Sequence, residues 1–186
     1  MRWLLSVLWS SVLLAGTPYV RDINGASVRP FDSSGPVSVV FFVCTDCPVS
    51  NGYAPEIRRI CAEYRVKHVA CTLVYEDLEI DSAAVRRHLS EYGNAGLSAV
   101  IDRDRSLAGR ANAAVTPTAV LIDAKGAILY RGRIDNKYAA LGKRRQQVSE
   151  HDLTDALDAV LAGAPVAKSE TKPFGCFIAD PKLLRQ

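Results

Sequence analysis

Cys44 and Cys47 stand three residues apart at the end of an apolar run, within FFVCTDCPVSN (41–51). Two thiols at this spacing can pass electrons as a dithiol–disulfide couple, share a metal ion, or lie inert in a core. The neighbouring residues separate these readings. Pro48 follows the second cysteine, and proline suits the first position of a helix because its missing N–H has no partner there. Cys47 is thereby expected at the helix cap, where free N–H groups and the helix dipole favour thiolate, the nucleophilic form, over thiol. One turn of chain brings both sulfurs within bonding reach. In the usual two-cysteine arrangement the first cysteine holds the cap, so the sequence leaves open which sulfur attacks, with Cys47 preferred. Zinc knuckles also use C-x-x-C, but no second pair follows at ligand spacing, and His68, His88 and His151 fall on separate elements. The redox chemistry requires no metal and no organic cofactor.

The elements around the pair have to place it. VSVVFFV (37–43) is a continuous β-branched and aromatic run, the pattern of a strand buried on both faces. Behind the pair, Tyr53, Ile57, Ile60, Cys61 and Tyr64 recur at steps of three and four, which predicts an amphipathic helix to about Lys67. Further strands are expected at 68–75, 97–102, 116–123 and, after the Lys125-Gly126 turn, 127–135. Asp81-Ser82 caps a second helix ended by Gly93. A short helix is expected within 104–113, and Ser149 is expected to open the last helix, with Asp152 in a capping-box role. Upstream, Asn24-Gly25 marks a hairpin turn. Early crossovers imply parallel strands and the late hairpin an antiparallel edge, so the class is α/β with a central mixed sheet flanked by helices.

Composition sets the remaining bounds. The 186 residues suffice for one domain with a buried core, and 48% apolar against 23% charged residues is ordinary for a globular protein. A net charge of +3 without a basic stripe excludes a nucleic-acid partner on compositional grounds, and Lys143-Arg144-Arg145 reads as a solvated loop. Residues 1–16, MRWLLSVLWSSVLLAG, have the length and shape of a signal h-region. Export to the periplasm or the exterior is therefore expected. An uncleaved membrane anchor is the alternative, because the small-x-small cleavage pattern is poor. Residues 17–163 form the domain and 164–186 a tail carrying a cysteine. The five cysteines are too scattered for a disulfide-stapled scaffold, and Cys61 and Cys71 read as small core residues.

Thr116-Pro117 opens a strand about seventy residues after the pair. In this topology a cis Thr–Pro peptide would present backbone to the sulfurs; a trans edge proline is the other reading. With Cys44-Thr45-Asp46-Cys47-Pro48, this order resembles the thioredoxin fold. More narrowly, TDCPVSNGYAPEI (45–57), TPTAVLIDAKGAILYRGRIDNKY (116–138) and FGCFI (174–178) are similar to exported bacterial redoxin-domain proteins of the alkyl hydroperoxide reductase/thiol-specific antioxidant superfamily, over about residues 19–178. Two departures stand out. Peroxidases of that superfamily carry a P-x-x-x-T-x-x-C pattern, where this chain has Val40, Cys44 and Cys47, so the threonine that orients peroxide is a thiol. Thioredoxins have Gly-Pro between the cysteines, where this chain has Thr45-Asp46, and the acid opposes thiolate formation. The resemblance also implies Cys47–Cys176 as an alternative disulfide. The other reading of Cys176 is a thiol docked in an apolar groove with Phe174, Phe177 and Ile178.

The resulting expectation is a thiol–disulfide oxidoreductase acting on protein thiols and disulfides or a small thiol reductant. Cys44, Cys47, Thr116 and Pro117 form its site, with Cys176 the alternative resolving thiol. Peroxide reduction at Cys47 is the second reading. Copper delivery, to which soft thiolates are suited, is the third, and it lacks an obvious third ligand. Arg131, Arg133 and Asp135 read as a surface ion-pair group.

Overall fold

The computed structural model describes residues 19–32, 35–140 and 142–179. The signal-like segment 1–16 lies outside them. A short hairpin comes first, β1 (Val20–Arg21) and β2 (Ser27–Val28), around Gly25 at φ 87°. Then follow β3 (Val37–Val43), α1 (Pro48–Arg65), β4 (Ala70–Tyr75), α2 (Ser82–Glu91), β5 (Ser98–Ile101) and α3 (Ser106–Ala111). The second half contains β6 (Val115–Thr116), β7 (Thr118–Asp123), β8 (Ile128–Gly132), a small hairpin β9 (Tyr138–Ala140) and β10 (Lys143–Arg144), α4 (Asp152–Leu161) and β11 (Cys176–Phe177).

The main sheet has the order β5-β4-β3-β7-β8. β3 runs parallel to β4 and antiparallel to β7, so the expected mixed sheet with an antiparallel edge is what forms. β3 sits at the centre because every one of its residues is buried. Its side chains alternate between two cores, as a period of two demands. Val37, Val39, Phe41 and Val43 face one, with Ile57, Ile60 and Tyr64 of α1, Leu153 and Leu157 of α4, and Val85 and Leu89 of α2. Val40 and Phe42 face the other, with Phe31 and with Leu107, Ala108 and Ala111 of α3. Truncating Phe41 to alanine would cost about 3–5 kcal/mol, mostly from the cavity left in a fully packed layer.

Two boundaries differ from expectation. The fourth strand does not run unbroken from 116. It is interrupted at Pro117, and Thr118 Oγ1 donates to Val115 O (2.6 Å) across the break. The last helix begins at Asp152, not Ser149, with His151 as N-cap and no side-chain cap bond. Both polar residues are drawn elsewhere. The Ser149 side chain accepts from Asn136 Nδ2 (2.8 Å), and Asp152 accepts from Arg133 Nε (2.7 Å).

After α4 the described part of the tail, to residue 179, packs against the domain. Ser169 and Thr171 exchange backbone hydrogen bonds with Arg131 (2.9 and 3.0 Å) along the outer side of β8. Thr171 Oγ1 bonds Tyr130 (2.6 Å), and the chain then reaches β6, where β11 pairs antiparallel with it. Among the described residues no helix is long and apolar enough to cross a membrane.

Candidate active site

Cys47 is the N-cap of α1 and Pro48 its first residue. The cap sits at the C-terminal end of the central strand, where α/β sheets open a crevice. Cys47 Sγ accepts from Ser50 N (3.4 Å), one of the helix's otherwise unpaired amides. As a thiol it donates to Thr116 O (3.2 Å), and the Thr116–Pro117 peptide is cis. The residue is 0% exposed. Burial alone would raise its pKa. Donor groups on Cys176, Ser50 and Thr116 outweigh that and hold the thiol below its ordinary range. The hydroxyls of Ser50 and Thr116 are buried and have no hydrogen-bond partner, so both can turn to sulfur and gain most when it is charged.

Cys176, delivered by β11 opposite Thr116 in the register, is the thiol that neighbours Cys47. Burial and the neighbouring Cys47 push the Cys176 thiol up to about 11. Cys176 thus keeps its proton and donates it, while Cys47 is the one that ionises. All five cysteines are free thiols in this structure.

Cys44 faces another way. Its thiol donates to Asp77 Oδ1 (3.2 Å), and Asp77 also accepts from Thr45 Oγ1 (2.7 Å) and Thr45 N (3.2 Å). Burial, with the Asp77 carboxylate beside it, pushes Cys44 up to about 12. The acid that suppresses a thiolate here is therefore Asp77, acting on Cys44. Asp46, the acid flagged by the sequence, is exposed and is not among the groups that shift Cys47. A longer polar chain supports the loop: Asn51 Nδ2 donates to Thr45 O (2.7 Å), Asn51 Oδ1 pairs with His88 Nε2 (2.9 Å), and His88 Nδ1 pairs with Tyr75 OH (2.9 Å).

Sequence reasoning missed Asp77 and Ser50. A signal for Asp77 existed, since β3 and β4 are parallel neighbours that pair Val43 with Tyr75. Residues just beyond Tyr75 must therefore lie beside those just beyond Val43. Ser50 is the residue three past the cap, one of the two positions whose amide a capping side chain engages.

The remaining candidates are structural. Cys61 is buried on α1 and neighbours Cys71 of β4, which is half-buried. That thiol and burial both raise the Cys61 pKa. Arg133 is half-buried and ion-paired, as expected, whereas Asp135 is buried. Arg133 holds Asp152, whose side chain is 2% exposed, and buried Asp135 accepts from Tyr53 OH (2.6 Å). Arg131 pairs with Glu170 of the tail (2.8 Å).

With this geometry in view, known proteins can be compared. No family model matches the chain, and no curated protein matches it. Solved structures do. A hypothetical protein from Sinorhizobium meliloti is 26% identical, with a TM-score of 0.74 over 88% of this chain and 91% of that one. An uncharacterised conserved protein from Geobacillus kaustophilus is 24% identical, with a TM-score of 0.74 over 89% and 90%. A secreted Mycobacterium tuberculosis disulfide oxidoreductase homologous to E. coli DsbE is 21% identical, with a TM-score of 0.51 over 60% of this chain and 80% of that one. The chain has a thioredoxin-like fold.

Proposed function

We propose that this chain is a thiol–disulfide oxidoreductase whose nucleophile is Cys47. The observation carrying the reading is the setting of that sulfur: a helix cap, a main-chain N–H, two buried hydroxyls and a second thiol all converge on one buried atom. Such a convergence of donors favours thiolate. The Cys47 thiolate attacks one sulfur of a partner disulfide. A Cys47–partner bond forms, the partner's own S–S bond breaks, and the departing sulfur takes a proton. A second thiol of the protein, deprotonating as it attacks, then displaces the partner from Cys47. Two electrons pass to the partner, which leaves as two thiols, and the protein is left with an internal disulfide that an external thiol reductant reopens.

Two thiols can resolve. Cys176 neighbours Cys47 through its register opposite Thr116, which favours it. Cys44 would complete the C-x-x-C couple, but its proton is held toward Asp77. Thr116 meets the sulfur through its main-chain carbonyl, next to the cis peptide to Pro117. The motifs shared with redoxin-domain proteins of the alkyl hydroperoxide reductase/thiol-specific antioxidant superfamily, and the signal-like residues 1–16, support an exported member of that group working outside the cytoplasm. The secreted oxidoreductase of similar fold supports the same placement.

The test is disulfide mapping after equilibration in a glutathione redox buffer, with the alkylation rate of Cys47 followed against pH. The reading expects Cys47 to be bridged in the oxidised protein and to ionise below the ~8.5 of a free thiol. An unbridged Cys47 with an ordinary pKa would overturn it. Fast oxidation of Cys47 by stoichiometric peroxide, without disulfide reductase activity, would move the assignment to a peroxidase.

A further inference from the structure

The strand that covers the candidate nucleophile has a sequence requirement of its own. β11 lies antiparallel to β6 with Cys176 opposite Thr116 and Phe177 opposite Val115, and Ile178 N donates to Ala114 O (3.0 Å). Gly175 passes so close to the Thr116 carbonyl that a Cβ there would fall well inside its van der Waals radius, and 3.2 Å from Pro117 Cδ. The residue before the cysteine therefore has to be glycine. The residue after it is free, since Phe177 is 86% exposed. Arg105 Nε holds the far end through Ala179 O (3.2 Å).

We propose that the β6 edge is a docking site for an extended polypeptide bearing a Gly-Cys step, and that the chain's own 174–178 segment occupies it until such a partner arrives. The inference rests on the exchange reading of Cys47 and adds the partner's class and its local sequence. Cys47 is fully buried and β11 holds the β6 edge beside it, so a polypeptide disulfide would reach it by replacing β11 on the same backbone groups, in the same antiparallel register. The partner cysteine then lies where Cys176 lay, against Cys47. Cys47 thiolate bonds to that sulfur, the partner's S–S bond breaks, and the outgoing sulfur is protonated. The returning tail brings Cys176 back to Cys47 and expels the partner as a second thiol. A side chain before the partner's cysteine would strike the Thr116 carbonyl, as any residue at 175 would. The glycine requirement is therefore a specificity filter built from backbone.

The probe is a synthetic heptapeptide, Lys-Pro-Phe-Gly-Cys-Phe-Ile, with its cysteine disulfide-linked to 2-mercaptopyridine, compared with the same peptide carrying valine in place of glycine. Release of the pyridine thione is followed with the reduced full-length chain, both unmodified and as Gly175→Val, which prevents β11 from docking. The glycine peptide should react at least about tenfold faster than the valine peptide, a discrimination typical of a steric clash at a binding site. Gly175→Val should accelerate the glycine peptide further by uncovering the edge. Equal rates for the two peptides with the unmodified chain overturn the proposal, even if the variant does not fold. A small symmetric disulfide, dithiodipyridine, separates the two levels. If Cys47 reacts with it but ignores the glycine, only the docking site is wrong. If Cys47 reacts with neither, the exchange reading falls as well, and the docking site with it.

Discussion

Two pairs of neighbouring thiols lie in this molecule, and their surroundings differ. Cys47 and Cys176 lie where a helix begins, beside a main-chain amide and two unengaged hydroxyls. Cys61 and Cys71 lie between the middle of α1 and β4, in the apolar core. Burial opposes charge in both places. In the first, donors outweigh it and one thiol becomes more acidic; in the second nothing does, and the Cys61 thiol becomes less acidic. Proximity of sulfurs is therefore not what singles out a redox centre. The difference is the supply of groups that can stabilise a negative sulfur, and the fold concentrates these at the end of a strand.

The largest effect should come from removing the favoured sulfur. Cys47→Ser should abolish disulfide reduction, a loss on the order of a hundredfold or more given the poorer nucleophilicity of a hydroxyl. Cys61→Ala should leave the rate within about twofold and instead lower stability by about 1 kcal/mol, read from a urea transition. Substantial residual activity in the serine variant would erase the contrast between the pairs.

A pH series sharpens it. Cys47 is more acidic in the folded chain than in the unfolded one, so its ionisation favours the fold above the free-thiol pKa, and that contribution is lost as pH falls through the folded value. Cys44 has the opposite sign: its contribution is present below the free-thiol pKa and lost as pH rises toward about 12. Iodoacetamide labelling with mass readout should find Cys47 modified first, Cys44 only in strong alkali and Cys61 only after denaturation. Uniform labelling of all three would break the comparison.

Smaller shifts should follow the individual donors and acceptors. Asp77→Asn should lower the Cys44 pKa and raise its labelling rate several-fold, but burial, the larger cause, should keep it above that of a free thiol. Ser50→Ala should raise the Cys47 pKa only slightly, since the main-chain N–H of residue 50 remains in place. No movement in the Cys47 titration would mean that the hydroxyl does not turn to sulfur.

Much of this arrangement was legible in the residues, and the limits have physical causes. VSVVFFV could only be a strand buried on both sides, and Pro48 fixed where the helix starts. Gly93 and Asp81 bounded α2 as their chemistry requires. The start of α4 was misplaced because Ser149 and Asp152 serve partners distant in sequence, Asn136 and Arg133, which local patterns cannot report. Asp77 was missed for the same reason: it matters through strand register, which is a property of the assembled sheet. The tail shows the opposite limit. FGCFI drew attention as a motif, but its glycine made sense only once the Thr116 carbonyl was seen beside it.

Both rims of the central sheet are closed by the chain's own ends. The first hairpin lends Asp22 and Ile23 to β5, pairing Asp22 with Val100 and bonding Ile23 N to Ala99 O (3.1 Å), while Ser169 and Thr171 line β8. Bare rims are templates on which strands of other molecules polymerise. The segment beside the thiol continues the stretch that lines β8, so losing the whole tail should bare a sheet rim together with the thiol and favour aggregation.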